Sequence, residues 1–174
     1  MLTRGLIMGS KEHKKHAVTG IRFGIVTISD TRTKETDTSG SLIQTLIRDA
    51  NHLVGHYSII PDDRDSIAEL LSHLIRDDSL DAIILSGGTG VSTRDITPET
   101  VRPLLEKELP GFGELFRFLS MEEIGSAAMM SRAIAGITNG KAIFCIPGSR
   151  GAVSLAMNRL ILEETGHMLY EVRK

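Results

Sequence analysis

DAIILSGGTGVSTRDITPE (Asp81–Glu99) carries the strongest topological signal of the chain, because an apolar run leads straight into a glycine-rich loop. Asp81–Leu85 is short and rich in branched side chains, which is typical of a buried strand. After the loop, Thr97 fits a helix N-cap, Pro98 the first helical position and Glu99 the first turn. This order of elements indicates the carboxyl edge of an α/β sheet, where such folds bind ligands.

The residues before this segment alternate between strand and helix patterns. Arg22–Ser29 and Val54–Ile60 are predicted strands, and apolar residues at helical spacing predict a helix over Ser41–Ala50. A second helix is predicted to start at Ser66, because Glu69 three residues later completes a capping box. Strand-helix-strand alternation implies right-handed crossovers and a mostly parallel sheet.

The residues after position 130 add an antiparallel element. Ser131–Ile137 and Lys141–Ile146 flank Asn139-Gly140, a strong hairpin signal, and a last helix is predicted over Ala152–Glu164, ending near Gly166. The sequence therefore predicts an α/β fold, a three-layer αβα sandwich with a mostly parallel sheet and at least one antiparallel strand pair.

A broad apolar stripe marks the predicted helix Glu114–Met130. Such a stripe packs either in the core or against another subunit, and the sequence leaves both interpretations open.

Composition limits the classes of protein that this chain can represent. With 174 residues, 41% of them hydrophobic, one sizeable domain is expected. No apolar run approaches the roughly 18 residues of a membrane span, and a net charge of −2 argues against nucleic acid binding. The one cysteine, Cys145, lies in an apolar run and is expected to be buried, which fits a cytoplasmic protein.

The N-terminal residues are predicted to form a flexible arm over positions 1–20, followed by one domain over 21–174. Lys11–His16 is strongly polar and precedes the first apolar strand, and either Met1 or Met8 can be the start residue.

The glycine-rich loop has the composition of a phosphate-binding turn. Three glycines in four residues allow successive backbone amides to converge on phosphate oxygens, and the start of a helix adds a second anion site. Glycines also serve in simple tight turns, so this alternative remains. The residues concerned are Ser86, Gly87, Gly88, Thr89, Gly90, Thr97, Pro98 and Glu99.

Arg94 and Asp95 follow the loop, and a carboxylate beside a bound phosphate requires a cation. Mg²⁺ fits because it binds one or two carboxylates together with phosphate oxygens and water. Asp62 or Asp63, after the second strand, can supply the other carboxylate, although aspartates are also frequent in turns. Neither a P-loop nor a G-x-G-x-x-G motif follows a strand, which disfavours a P-loop NTPase and a dinucleotide dehydrogenase.

The ordered motifs of the chain resemble those of the molybdopterin-binding domain family, which includes molybdenum cofactor biosynthesis proteins. The resemblance covers about residue 20 to the C-terminus. It rests on GGTGVSTRDITPE (Gly87–Glu99), TISDTRT (Thr27–Thr33), DTSG (Asp37–Gly40), IIPDD (Ile59–Asp63), GFGELFR (Gly111–Arg117), SRAIAG (Ser131–Gly136) and IPGS (Ile146–Ser149).

This resemblance implies a homotrimer or a homohexamer that works with other molybdenum cofactor assembly proteins. In the catalytic members, the terminal phosphate of molybdopterin attacks the α-phosphorus of Mg-ATP and gives adenylyl-molybdopterin and pyrophosphate. The expected activity is therefore that of a nucleotidyltransferase with Mg²⁺ as cofactor and with ATP and molybdopterin as substrates.

The resemblance also implies roles for individual residues. Asp62 and Asp95 match the catalytic, metal-binding acidic positions, and the glycine turn matches the phosphate site. Further binding positions are Ser29, Asp30, Arg94, Pro147, Gly148 and Ser149. One departure is the sequence PGSRG in place of the PGN-P or PGQ-P that is usual in dedicated adenylyltransferases. The alternative function is therefore a molybdopterin-binding carrier or scaffold without robust catalysis.

Overall fold

The computed structural model describes residues 17–174, and within this range a sheet of six strands occupies the middle layer. The spatial order is β2-β1-β3-β6-β5-β4. Strands β2, β1, β3 and β6 are parallel, whereas β5 runs antiparallel to both β6 and β4. The bounds are β1 Arg22–Ile28, β2 Leu53–Ile60, β3 Ala82–Ser86, β4 Lys107–Glu108, β5 Ile134–Thr138 and β6 Lys141–Ile146.

Helices cover both faces of this sheet. Their bounds are α1 Thr38–Asp49, α2 Arg64–Arg76, α3 Thr97–Val101, α4 Pro110–Ile124, α5 Arg150–Ala156 and α6 Leu162–Val172. Short 3₁₀ turns follow α3 and α4 at Arg102–Leu104 and Gly125–Met130, and a π-helical turn, Met157–Ile161, joins α5 to α6. The predicted mixed, mostly parallel αβα architecture is confirmed.

Two apolar cores lie on opposite faces of the sheet. Ile84 and Phe144 belong to the core under α1, α4, α5 and α6, whereas the neighbouring Ile83 and Cys145 belong to the core under α2 and α3. Successive side chains of a strand point to opposite faces, so a strand buried on both sides reads as continuously apolar. Cys145 is fully buried as predicted, and burial raises the pKa of its thiol.

Helix α2 begins earlier than its capping-box pattern predicts. The N-cap is Asp63, whose carboxylate accepts a hydrogen bond from the Ser66 N–H at 2.9 Å. An extended aspartate three residues before a free N–H is itself a strong N-cap, so Arg64 already lies in the helix. Asp63 is therefore used as a helix cap.

The predicted end of the last helix at Gly166 is wrong, because α6 continues to Val172. A Cβ atom at Gly166 would lie 2.6 Å from the Val18 carbonyl oxygen, and the Val18 N–H donates to the Gly166 oxygen at 3.0 Å. The glycine allows the chain before β1 to cross the helix closely. The predicted arm otherwise falls on residues 1–16, which lie outside the described residues.

Helix α4 starts at Pro110 and gives way to a 3₁₀ turn after Ile124, so the predicted helix was placed too far toward the C-terminus. Its inner side buries Phe116 and Ser120. Its outer side leaves four large apolar side chains more than half exposed, namely Leu115, Phe118, Met121 and Ile124. The core interpretation therefore accounts for only part of the stripe. In the described part of the chain, no helix is long and apolar enough to cross a membrane.

Candidate functional site

The candidate site lies at the carboxyl edge of the parallel strands. Strand β2 lies on one side of β1 and strand β3 lies on the other. The strand order therefore reverses between β1 and β3, which makes this position a topological switch point. Ser29 follows β1, and its N–H donates to the Ile60 oxygen at 2.8 Å. The Gly87 N–H, directly after β3, donates to the Ile146 oxygen at 3.0 Å. The ends of β1, β2, β3 and β6 are thus tied together.

The turn after β3 requires glycine at two successive positions. Gly87 has a φ of +122° and Gly88 a φ of +63°, which L side chains rarely adopt. A Cβ atom at Gly87 would lie 2.3 Å from the Ile28 oxygen. At Gly88 it would lie 2.2 Å from Thr97 Oγ1 and 2.9 Å from both carboxylate oxygens of Asp62. Asp62 and Thr97 therefore pack directly against the glycine turn.

Three polar atoms beside this turn are buried and unsatisfied. Among residues 17–174, Asp62 Oδ1, Ser86 Oγ and Thr97 Oγ1 have no hydrogen-bond partner. Buried polar atoms are nearly always paired, so three such atoms near one turn indicate a place for a ligand, a cation or water. This convergence is the main evidence that the turn is a binding site.

The electrostatic surroundings of Asp62 point in the same direction. Burial raises the pKa of its carboxyl group, and the charges of Asp95 and Asp30 raise it further against the opposing effects of the Ile96 N–H and Arg94. A bound cation would relieve this repulsion. Asp62, rather than Asp63, therefore faces the glycine turn.

Asp95 combines a structural contact with its electrostatic effect on Asp62. Its Oδ2 accepts a hydrogen bond from the Ser92 N–H at 2.9 Å, and a Cβ atom at Gly90 would lie 2.8 Å from the same oxygen. Asp95 thus caps the tip of the loop. Within the described residues, no group of three or more His, Cys, Asp or Glu side chains is arranged to hold a metal ion. Two carboxylates are, however, enough for Mg²⁺ beside phosphate.

Asp30 and Arg94 border the site on the side of β1. Asp30 accepts a hydrogen bond from the Asp62 N–H at 3.2 Å and forms an ion pair with Arg94. The Arg94 side chain is 72% exposed. The ion pair places the positive charge of Arg94 at the exposed edge of the site.

The prediction that Thr97 caps a helix is wrong. Ile96 is the N-cap and Thr97 is the first residue of α3, which has only five residues. The Thr97 N–H donates to the Gly88 oxygen at 3.1 Å, so this amide closes the turn. Glu99 pairs with Arg132, and Pro98 is buried inside the helix. The short α3 therefore supports the turn.

The second loop, Pro147–Ser149, packs against the first. The Gly148 oxygen accepts hydrogen bonds from Arg32 at 3.1 Å and from Ser39 Oγ at 2.7 Å. Ser149 is the N-cap of α5, and its Oγ accepts from the Ala152 N–H at 3.3 Å. A Cβ atom at Gly148 would lie 3.5 Å from the Gly87 Cα, so the two loops touch.

Asp37 organises the support for the second loop. This buried carboxylate accepts hydrogen bonds from Thr27, Tyr57, Arg32 and the Gly40 N–H. Burial alone would raise its pKa, but these four donors outweigh burial and lower it. Asp37 is the first residue of the DTSG motif, whose residues were not predicted to be functional.

An apolar cavity of about 230 Å³ adjoins both loops. Thr89, Gly90 and Ser149 of the two loops line it, together with Phe116, Ser120, Glu123 and Ile124 of α4. A mostly apolar lining with a few polar groups suits a ring system that carries polar substituents.

Comparisons with known proteins agree with the motifs. Residues 24–167 match the family model described as "Probable molybdopterin binding domain". A molybdenum cofactor biosynthesis protein B from Bacillus cereus is 50% identical over 168 residues, which cover 96% of this chain and 99% of the relative. The protein of the same name from Bacillus subtilis is 48% identical over the same share of each chain.

Solved structures extend the agreement to the fold. A crystal structure of molybdenum cofactor biosynthesis protein B has a TM-score of 0.87 at 50% identity and covers 89% of this chain and 97% of its own. The tungsten cofactor synthesizing protein MoaB from Pyrococcus furiosus has a TM-score of 0.81 at 36% identity, with 91% and 100% coverage. The chain therefore belongs to the molybdopterin-binding domain family, within its group of molybdenum cofactor biosynthesis B proteins.

Proposed function

We propose that this protein acts in molybdenum cofactor biosynthesis by binding molybdopterin and transferring an adenylyl group from ATP to its terminal phosphate. A phosphate oxygen of molybdopterin forms a bond to the α-phosphorus of ATP. The bond from this phosphorus to the oxygen that links it to the β-phosphorus breaks. Pyrophosphate leaves. The observation that carries the proposal is the convergence of Asp62, Ser86 and Thr97, each with a buried unsatisfied oxygen, near the glycine turn.

The site residues fit the binding of Mg²⁺. Asp62 has an unsatisfied carboxylate oxygen, and its pKa is raised by burial and, to a smaller extent, by the charge of Asp95. These two carboxylates would hold the ion together with phosphate oxygens and water. When bound, Mg²⁺ supplies charge neutralisation for the phosphates of both substrates.

The other residues position the substrates. The backbone at Gly88 and Gly90 can approach a phosphate closely because glycine has no side chain at the turn. The apolar cavity between Gly90 and Phe116 has the character to take the pterin rings. Nucleotidyl transfer depends mainly on positioning and charge neutralisation, so no nucleophilic side chain is required.

The decisive experiment measures pyrophosphate release by purified protein with molybdopterin, ATP and Mg²⁺. We expect release that depends on all three components and stops with EDTA. Reactions without molybdopterin measure background hydrolysis of ATP. Activity that persists in EDTA would contradict the role of the two carboxylates.

A carrier function is the second candidate, and two observations favour it. Asp95 already has a structural contact as the cap of its loop, and the second loop reads PGSRG. A carrier would bind molybdopterin in a fluorescence titration and release no pyrophosphate.

A further inference from the structure

Arg132 contacts backbone carbonyl groups of the glycine-rich loop, and it has no role in the proposed binding of substrates. It lies between the 3₁₀ turn Gly125–Met130 and β5. Its backbone N–H donates to the Thr89 oxygen at 3.0 Å. Its Nε donates to the Gly90 oxygen at 2.7 Å and its Nη2 to the Asp95 oxygen at 2.6 Å, while Nη1 pairs with Glu99.

These contacts close the base of the exposed loop tip. Gly90 and Asp95 are the two ends of the tip, and the four residues between them, 91–94, are all exposed. Inside the tip, the Asp95 N–H donates to the Ser92 oxygen at 3.0 Å, in addition to the contact of its carboxylate with the Ser92 N–H. One guanidinium group therefore holds both ends at a set separation.

The geometry of the guanidinium group suits this task. Its N–H groups point in fixed directions in one plane, so it can hold two carbonyl oxygens and a carboxylate at once. A lysine ammonium group carries the same charge on a flexible stem and lacks this planar arrangement. The carbonyl that Arg132 holds belongs to Asp95, the residue whose charge acts on Asp62.

We infer that Arg132 is a positioning residue that sets the shape of the phosphate-binding loop and the placement of Asp95 relative to Asp62. Because this role concerns the proposed ligand site, its functional consequence rests on the proposed function. Its structural consequence, a loop tip closed by Arg132, can be measured without any substrate.

The chain offers two matched controls. Arg102 forms hydrogen bonds at 3.0 Å to both carboxylate oxygens of Glu108 and lines the same cavity of about 410 Å³ as Arg132, but it donates to no carbonyl of the loop. Arg102→Met therefore removes a comparable ion pair without touching the tip. Glu99→Gln removes the ion pair of Arg132 and leaves both carbonyl contacts in place.

Hydrogen exchange of the full chain tests the structural part. In Arg132→Met, amide exchange at Ser92 and Asp95 should accelerate by about tenfold or more, whereas exchange in β3 and β6 should keep the wild-type rate. Arg102→Met and Glu99→Gln should leave the tip near the wild-type rate. Equal acceleration throughout the chain, or none at the tip, would overturn the inference. If Arg132→Met does not fold, Arg132→Lys is measured in the same way.

Kinetics test the functional part. We expect Arg132→Lys to raise the KM for Mg-ATP by about 10- to 100-fold, because two charge-assisted contacts are disturbed. Added guanidinium should restore part of the activity of Arg132→Ala, and Arg102→Met should match the wild type. An unchanged KM with no rescue would overturn the role at the site. If the wild type itself releases no pyrophosphate, the proposed function fails, while the exchange pattern still decides whether Arg132 holds the loop.

Discussion

The two aspartates at the glycine turn have different surroundings although both are proposed to hold one ion. Asp62 packs against Gly88 and has an unsatisfied oxygen, whereas Asp95 accepts a hydrogen bond from its own loop. An asparagine can still accept a hydrogen bond at either position. Substitution by asparagine therefore separates the charge of each residue from its contribution to the fold.

We expect Asp62→Asn and Asp95→Asn each to lower turnover by roughly 10² to 10⁴, because several kcal/mol of charge stabilisation are lost. Molybdopterin binding should survive in both variants. The double variant should lose less than the product of the two single losses, since both residues act through one ion. Steady-state pyrophosphate release checks this, and near-normal turnover of Asp95→Asn would contradict it.

The raised pKa of Asp62 predicts a stability effect of opposite sign to the activity effect. An acid whose pKa is raised by folding destabilises the folded state while it is ionised, so this cost is present at neutral pH. As the pH falls through the raised pKa and then below about 3.9, the ordinary value, the cost disappears. Asp62→Asn should therefore raise the melting temperature at pH 7, and this gain should shrink on acidification.

Thermal melts of wild type and Asp62→Asn across this pH range provide the measurement. Asp63→Asn is the control, because Asp63 is a helix cap whose pKa is lowered by hydrogen bonds, mainly from Ser66. This neighbouring variant should gain no stability at neutral pH. A lower melting temperature for Asp62→Asn would show that the carboxylate stabilises the fold.

Among the structural elements, the turn after β3 differs from the hairpin turn in what surrounds its glycine. Gly88 and Gly140 have nearly equal φ angles, +63° and +69°. A Cβ atom at Gly88 would collide with Thr97, whereas one at Gly140 would meet no atom within 4 Å. Alanine substitutions at Gly88 and Gly140 therefore separate the effect of backbone strain from the effect of close packing.

We expect Gly140→Ala to cost about 1 kcal/mol in the free energy of unfolding, since only left-handed strain is added. Gly88→Ala should cost about 3 kcal/mol, because crowding adds to the same strain, and it should also abolish molybdopterin binding. Urea denaturation and fluorescence titration measure the two effects. Equal costs for the two variants would show that the packing around Gly88 yields easily.

For the whole molecule, the exposed side of α4 remains the feature that a single chain does not explain. We predict that the protein forms a trimer or a multiple of a trimer through this surface, defined by Leu115, Phe118, Met121 and Ile124. These four side chains are each more than half exposed and follow one another at three-residue intervals along α4, whereas the exposed apolar residues of monomers are usually scattered singly.

Light scattering at micromolar concentration measures the assembly. Phe118→Glu should shift the mass toward the monomer, because a charge would be buried in an apolar contact. Leu53→Glu is the control. Leu53 is also about half exposed, but it lies on the edge strand β2, whereas α4 packs on β5 near the other edge of the sheet. A wild-type protein that stays monomeric would rule out this assembly.

The order of strands and helices, the mixed sheet and the Asn139-Gly140 hairpin follow from local signals, because apolar periodicity and turn residues act over a few neighbouring positions. The same signals predicted a phosphate-binding turn after β3, and the family motifs correctly indicated the relatives of the chain. Local patterns were less reliable at helix ends. Asp63, and not Ser66, is the N-cap of α2. Gly166 does not end its helix; a glycine is needed there because residue 18 crosses the helix closely.

The contacts between distant segments depend on the folded chain. Asp62 and Thr97 both pack against Gly88, and Arg132 contacts Gly90, more than 30 residues earlier in the chain, to close the loop. Neither arrangement has a periodicity or a sequence spacing that would reveal it, because each arises when loops from separate parts of the chain meet at one edge of the sheet. Single segments were thus enough to predict a type of chemistry, whereas the burial, the unsatisfied oxygen and the raised pKa of Asp62 arise only when the sheet brings those segments together.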